Sequence, residues 1–246
     1  MKPRIFCPAL VFLIILGASA AYGAEGVFPA DGVDVTLTVS GIEGVEAISS
    51  VVSADALVNQ TLIGNRLEER GVISTSIMQD TFVDGRGILS INQASGNINN
   101  QANVRVLAFA DGDGVLYDLS LATSARSIKN TVISVGGEYE DRISNSFGGG
   151  VGIVGVNQSA GSLNQQVNVV VLGIGVALGP DVVALGDADL GGTIADNSVS
   201  SGGNRSDIIT DSFTGFRGIA QVNQSSGDLN IVTNSVGFSF TRINVP

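Results

Sequence analysis

The sequence predicts an all-β protein in which three similar units are stacked on one another. Three segments of nearly the same residues begin at Gly87, Gly152 and Gly218, so their starts lie 65 and 66 residues apart. Val, Ile, Gly, Asn and Ser are frequent in short alternating runs, which is typical of strands joined by turns. We therefore expect a stacked β-solenoid or cross-β-like arrangement of strand–turn–strand units.

The first 24 residues have the pattern of a secretory signal peptide. Lys2 and Arg4 give the positive end, and the apolar stretch 5–17 is short for a membrane span. Small residues at 18–23 match a cleavage pattern. We expect residues 1–24 to be removed and the protein to be secreted to the extracellular space or cell surface; an uncleaved anchor is the less favoured alternative.

The composition excludes several classes of function. The chain has 12 Lys and Arg against 23 Asp and Glu, no His, and one Cys, which lies at position 7 inside the predicted signal peptide. Ser-His-Asp or Cys-His catalysis and the usual zinc or haem sites therefore lack their residues. The net charge of −11 disfavours nucleic acid as a partner. We expect no enzyme activity, no metal and no cofactor.

The repeats divide the rest of the chain. We predict an N-terminal segment over 25–57 with one strand at 33–40, then repeat 1 over 58–125, repeat 2 over 126–192 and repeat 3 over 193–246. The stretch 41–65 fits a helix face as well as a strand, and its β-branched residues favour strand or irregular structure.

Acidic, turn-rich stretches predict surface loops between the repeats, at 111–114 and around Pro180, Asp187 and Asp189. The first stretch has part of a calcium-loop pattern, but a solvated turn is favoured. Acid pairs in the spacers, among them Glu68–Glu69 and Glu140–Asp141, suggest glycosidase chemistry. Their spacing does not repeat, so we interpret them as a solvated face.

Each repeat ends in a constant part made of strand, turn and strand. In repeat 1 these are predicted over 87–93, 94–96 and 97–109. A glycine ends each turn, which indicates either positive φ or the close approach of another backbone. A phenylalanine lies five residues before each opening Gly-Ile pair, and we expect a buried aromatic column there, with a ligand stacked on the rings as the alternative. These repeated positions are Gly96, Gly161 and Gly227, and Phe82, Phe147 and Phe213.

The constant strands carry side-chain amides at matching positions. An unpaired buried amide costs roughly 1–3 kcal/mol, whereas amides stacked at the ~4.8 Å strand spacing can donate to one neighbour and accept from the other. Because few charges protect these strands, their edges should pair with another chain, and we expect end-to-end self-assembly into fibrils. The amides assigned to this stacking are Asn92, Gln93, Asn99, Gln101, Asn103, Asn157, Gln158, Asn164, Gln166, Asn168, Asn223, Gln224, Asn230 and Asn234.

The segments GILSINQASGNINNQAN and GIVGVNQSAGSLNQQVN resemble the repeats of the Fap-type functional amyloids of Gram-negative biofilms. The resemblance covers the three constant parts, about a third of the chain after the signal, and the three-copy plan. It differs in the third copy, at Val232 and Thr233, and in lacking a Cys-x-x-Cys pair near the C-terminus. It implies a secreted amyloid or adhesin of the biofilm matrix. The implied partners are further copies, related fibril subunits and an outer-membrane secretion pore.

A monomeric extracellular β-solenoid that binds carbohydrate or serves in adhesion is the alternative. Such a module would have capped ends and would bind polysaccharide without forming fibres.

Overall fold

A computed structural model of the chain describes residues 10–21, 32–42, 50–112, 115–177 and 182–243. Within these ranges every regular element is a β-strand. The strands stack in parallel sheets, which confirms the predicted all-β, stacked fold class. The first two elements are β1 (Leu10–Ala21) and β2 (Gly32–Ile42), and β2 contains the strand predicted over 33–40.

Three layers of five strands each, which we call rungs, make up the stack. Rung 1 contains β3 (Ser50–Ile63), β4 (Arg66–Arg70), β5 (Ile73–Gln79), β6 (Arg86–Ala94) and β7 (Asn99–Gly112). Rung 2 contains β8 (Val115–Ile128), β9 (Thr131–Val135), β10 (Glu138–Ser144), β11 (Val151–Ser159) and β12 (Gln165–Ala177). Rung 3 contains β13 (Val182–Ala195), β14 (Ser198–Ser201), β15 (Asn204–Thr210), β16 (Arg217–Ser225) and β17 (Ile231–Ile243).

Strands that hold the same place in successive rungs pair in parallel and in register. In the sheet β6–β11–β16, Gly87 lies opposite Gly152, which lies opposite Gly218. The other four sheets, β3–β8–β13, β4–β9–β14, β5–β10–β15 and β7–β12–β17, follow the same order. Each residue therefore meets its counterpart from the next repeat at about the 4.8 Å spacing of paired strands.

The first two strands extend the sheets at the rung 1 end, and both run antiparallel to their neighbours. β1 pairs with β7, and β2 pairs with β3. β1 consists of residues from the predicted signal peptide, whereas the expected cleavage site after residue 24 lies outside the described residues. The ambiguous stretch 41–65 is a strand from Ser50 to Ile63, so rung 1 begins inside the segment assigned to 25–57.

The rung 2 strands of the constant part are buried on both faces. On β11, Val154 and Val156 pack with Ile143 of β10, whereas Ile153 on the opposite face packs with Val170 of β12. A strand covered on both sides has no solvent face on which charges could be placed cheaply. This packing explains why the constant parts consist mainly of apolar and amide residues.

The glycines that end the turns are required by close approach. At Gly96 a β-carbon would overlap the carbonyl oxygen of Gly161, and at Gly161 it would overlap that of Gly227. These glycines do not have positive φ, so the first of the two sequence-based explanations is wrong. Left-handed residues follow two positions later, at Ile98, Leu163 and Leu229, with φ of 55°, 59° and 59°.

The repeated phenylalanines stack as a column. The ring centroids of Phe82 and Phe147 are 5.5 Å apart, and those of Phe147 and Phe213 are 4.7 Å apart, with interplanar angles of 14° and 8°. Phe147 is 1% exposed, whereas Phe82 at the end of the column is 44% exposed. The column is therefore buried at its centre and open to solvent at the rung 1 end.

Replacing Phe147 by Ala should destabilise the fold by about 3–5 kcal/mol, because a buried ring with a partner on each side leaves a cavity. The measurement is the free energy of unfolding in guanidinium chloride. Phe240→Ala is the matched control, since Phe240 is 62% exposed and its loss should change stability by no more than about 0.5 kcal/mol. Equal losses from the two variants would contradict the column's role.

Candidate functional site

Side-chain amides form hydrogen-bonded columns between the sheets β6–β11–β16 and β7–β12–β17. In one column Asn157 Nδ2 donates to Asn92 Oδ1 at 3.0 Å, and Asn223 Nδ2 donates to Asn157 Oδ1 at 2.9 Å. Beside it, Asn168 Nδ2 donates to Asn103 Oδ1 at 3.0 Å, and Asn234 continues the pattern on Asn168 at 3.1 Å. Amide pairing thus runs through all three rungs.

Neighbouring columns are also joined across the sheets. Within rung 2, Asn168 Nδ2 donates to Asn157 Oδ1 at 2.9 Å, and the counterparts in rungs 1 and 3 do the same at 2.7 and 2.6 Å. Asn157 and Asn168 are both fully buried. Each buried amide therefore has partners within its own rung and in the next, which offsets the cost of removing it from water.

A glutamine column lies on the opposite face of β11. Gln158 Nε2 donates to Gln93 Oε1 at 3.3 Å, and Gln224 Nε2 donates to Gln158 Oε1 at 2.9 Å. In this column and in the two asparagine columns that begin with Asn92 and Asn103, the later rung donates to the earlier one. A shared direction of donation gives the stack a polarity, with side-chain oxygens directed toward the rung 3 end.

The asparagines at 99, 164 and 230 serve the turns. Asn164 N donates to Asn99 Oδ1 at 2.8 Å, and Asn230 N donates to Asn164 Oδ1 at 2.9 Å. The side-chain nitrogens of Asn99 and Asn164 reach the turn carbonyls of the next rung, as in the 2.7 Å bond from Asn164 Nδ2 to Gly227 O. Asn230 Nδ2 donates instead to Ser225 Oγ at 2.8 Å. These residues therefore hold each turn against the next, beside the close approach at the glycines.

Two columns depart from this direction, and the column that begins with Gln101 is one of them. Gln101 Nε2 donates to Gln166 Oε1 at 2.8 Å, which is the reverse direction. Val232 occupies the position in rung 3, so this column ends after two amides. The structure thus stacks the amides assigned from the sequence at matching heights, with two glutamines paired in the opposite sense.

A further asparagine column was not predicted from the sequence, because its first member lacks the Asn-Thr or Asn-Ser pair that marks the other two. Asn65 lies before β4, and its backbone N and Nδ2 both donate to Asn130 Oδ1 at 2.9 Å. Asn130 N in turn donates to Asn197 Oδ1 at 2.8 Å. The Asn-Thr and Asn-Ser pairs at 130 and 197 were visible in the sequence, but Asn65 is followed by Arg66.

A charged network that joins all three rungs was also missed. Glu69, 5% exposed, accepts hydrogen bonds from Asn97 Nδ2, Ser162 Oγ and Tyr139 OH at 2.7, 2.9 and 2.8 Å. Arg205 of rung 3 lies 4.3 Å above the Tyr139 ring. The solvated face expected for Glu69 is therefore wrong, because its partners come from residues 28–93 positions away.

The same network continues to a buried carboxylate in the last turn. Arg205 Nη2 pairs with Asp228 Oδ2 at 2.7 Å, and Ser162 N donates to Asp228 Oδ1 at 2.9 Å. Burial raises the pKa of Asp228 and that of Tyr139. Arg205 thus links the Tyr139 ring of rung 2 to the Asp228 carboxylate of rung 3.

Asp141 is a second buried carboxylate that the sequence interpretation placed in solvent. It is fully buried on β10, and its Oδ2 accepts hydrogen bonds from the backbone N of Ala160 at 3.1 Å and of Ser225 at 3.0 Å. Asp207 is its register partner in rung 3. Burial, with a smaller contribution from the Asp207 carboxylate, raises the pKa of Asp141 to about 7.

Rung 2 contains glycines at which side chains from the neighbouring rungs fill the space. Arg105 of rung 1 is fully buried, donates from Nη1 to Asn168 O at 3.0 Å, and covers Gly155, where a β-carbon would overlap its guanidinium. Asp84 of rung 1 covers Gly149 in the same way. Rung 2 is therefore shaped to lie between the other two and is not interchangeable with them.

The two ends of the stack differ. At the rung 1 end, β1 covers the edge of β7 and β2 covers the edge of β3. At the rung 3 end, among the residues that the structure describes, no strand pairs with the outer edges of β13 to β17. Five parallel edges with their amide columns are thus presented together, which is the arrangement that templates another strand layer.

The described ranges contain no group of three or more Cys, Asp or Glu side chains placed to hold a metal ion. Asp113 of the partial calcium-loop pattern lies outside those ranges. In the same ranges, no helix has the length and apolar character needed to cross a membrane.

A model of the functional amyloid protein FapB/FapC family matches residues 54–241, which include all three rungs from β3 onward. The chain belongs to the FapB/FapC family. This finding confirms the resemblance drawn from the repeats. The chain is also similar to the functional amyloid subunit FapC of Pseudomonas aeruginosa (strain PAO1), with 32% identity over 119 residues.

That match covers 47% of this chain and 35% of the relative, so the chain spans about a third of the length of this FapC subunit. No solved structure matches the chain.

Asp141→Asn should remove a pH dependence of stability. Because the folded pKa of about 7 lies above the ordinary aspartate value of 3.8, the folded state holds a proton that the unfolded state has lost, and stability falls as pH rises from about 4 through 7. Unfolding midpoints at several pH values measure this. The exposed Asp189→Asn control should keep the wild-type fall, and an unchanged profile for Asp141→Asn would count against the assignment.

Gly155→Ala should destabilise the fold by about 1–3 kcal/mol, because the methyl group displaces the Arg105 guanidinium. Gly237→Ala is the control, since a β-carbon there meets no atom within 4 Å. In a double-mutant cycle of unfolding free energies, Arg105→Ala should relieve part of the Gly155→Ala cost, because the β-carbon would also overlap Asn103 Oδ1. Simple additivity of the two changes would show that the Arg105 side chain does not fill this space.

Proposed function

We propose that this chain is a secreted structural subunit that assembles end to end into amyloid fibrils of an extracellular matrix. The observation that carries the proposal is the continuity of the amide columns through three in-register rungs, ending in open strand edges at rung 3. The family supports it, since it is named for functional amyloids, and the matched relative is a functional amyloid subunit. Neither an enzymatic reaction nor a cofactor is part of the proposal.

In the proposed joint, rung 3 of one copy receives rung 1 of the next. Asn223, Gln224 and Asn234 end their columns with the same residue types that begin them in rung 1. Because the later rung donates to the earlier one in these three columns, an incoming rung 1 would supply N–H groups to these oxygens. The column of Asn234 requires that β1 no longer covers the edge of β7 in the incoming copy. Adding a copy would then extend these three columns without changing their chemistry.

Parallel pairing fixes the orientation of the joint. All the rungs run in the same direction, so a further parallel rung can be added in one orientation at each end, and the contact is heterologous and does not close. A heterologous, non-closing contact generates filaments. Export through a cleaved signal, together with related subunits or an outer-membrane pore as partners, completes the proposal on the strength of the resemblance stated for the repeats.

Gly227→Ala should abolish fibril formation while leaving the chain folded. Within the chain, its β-carbon would approach only the Asn230 side chain, with Nδ2 at 2.8 Å, and this side-chain end can rotate away at the cost of its hydrogen bond to Ser225 Oγ. The β-carbons of Gly96 and Gly161 would overlap the backbone of the next rung, so at Gly227 the methyl group would overlap the turn of an incoming copy.

The measurements are thioflavin fluorescence, electron microscopy and the ~4.7 Å cross-β reflection, with circular dichroism to verify folding. Gly237→Ala is the matched control and should assemble like the wild type, because valine occupies its position in the other rungs. Fibrils from Gly227→Ala at the wild-type rate would refute rung-on-rung stacking. A wild-type chain that stays monomeric and binds polysaccharide would favour the carbohydrate-binding alternative.

A further inference from the structure

One repeated position carries a ring in rung 3 and none in the other rungs. It lies three residues after the column phenylalanine and is Gly85 in rung 1, Gly150 in rung 2 and Phe216 in rung 3. The local backbone is the same in rungs 2 and 3, since Gly150 N and Phe216 N each donate to the carbonyl of the column phenylalanine, at 3.4 and 3.1 Å. The position therefore accepts either a glycine or an aromatic residue.

The Phe216 ring shows how a ring sits there. It meets Phe213 edge-on, with centroids 6.0 Å apart and planes at 86°. It also leans over rung 2, where a β-carbon at Gly150 would lie 3.0 Å from its Cδ2. At Gly85 a β-carbon would meet the backbone of Phe82 and no side chain, so the corresponding space over rung 1 is open.

This open space is a cavity of about 130 Å³ on the side of the stack. Its walls come from all three rungs and include Phe82, Phe147, Leu89, Val154 and Phe216. The centroids of Phe82 and Phe147 are 5.5 Å apart, against 4.7 Å for the next pair in the column. An apolar cavity of ~150 Å³ holds one benzene molecule, so the volume suits a single six-membered ring.

We propose that this cavity binds one monocyclic aromatic group, held edge-on to the Phe82–Phe147 pair as Phe216 is held to Phe213. Arg86 is the one charged residue among those that line it, so a neutral or anionic substituent on the ring is compatible with the opening. All the lining residues belong to one chain. The proposal therefore does not depend on fibril formation.

The test uses 4-fluorophenol as the probe and fluorine NMR as the readout. With soluble chain, binding is followed by line broadening; with fibrils, by depletion of the probe after sedimentation. The wild type should take up one probe per chain. Gly85→Phe adds a ring at a residue that lines the cavity and should weaken binding about tenfold or more, because the apolar surface available to the probe is reduced.

Val83→Phe is the matched control, since it adds the same ring two residues away at a side chain that is 56% exposed and does not line the cavity. It should bind the probe like the wild type. Equal uptake by wild type and Gly85→Phe would overturn the proposal and indicate general adsorption. If Gly85→Phe does not fold, the wild type is tested with 6-fluoro-2-naphthol as a larger probe. Its second ring should be too large for the cavity, so stoichiometric binding of this probe would overturn the proposal.

Discussion

The architecture depends on one constraint, which is that like residues stand at the same height in successive parallel rungs. At the spacing of paired strands, an amide finds the next amide within hydrogen-bond distance, as Asn157 does with Asn92 and Asn223. The same spacing forces glycine where one turn presses on the next, as at Gly161, and allows phenylalanine rings to stack. Buried polar groups are tolerated because the neighbouring repeat supplies their partners.

Positions at which the residue differs between rungs give the rungs separate roles. Arg105, whose pKa burial lowers to about 10, remains a cation and occupies space that Gly155 leaves vacant. The link from Glu69 through Tyr139 to the Arg205–Asp228 pair uses a different residue in each rung. Identical layers would stack in any order, whereas these unlike contacts favour the sequence of rungs found in the chain. The repeated residues stabilise the stack, and the residues that differ between rungs favour one order of the rungs.

The repeat spacing was enough to predict the fold class and the heights of the amides, because stacking in register converts sequence spacing directly into position. The burial of charged side chains could not be predicted from the repeat spacing. Glu69 and Asp141 sit in variable spacers, and their partners, such as Ser162 and Ser225, come from other rungs. The acidic loop expected around Asp187 is also wrong, since this residue lies within β13 and follows the pairing of β8.

The pairing of β1 with β7 has a temporal consequence. The predicted signal peptide contributes the outermost strand of the sheet that carries Asn103. In the proposed assembly, this strand covers an edge that a second copy would use. The uncleaved chain would therefore lack a strand edge that the processed chain presents, which ties the onset of polymerisation to removal of the signal peptide.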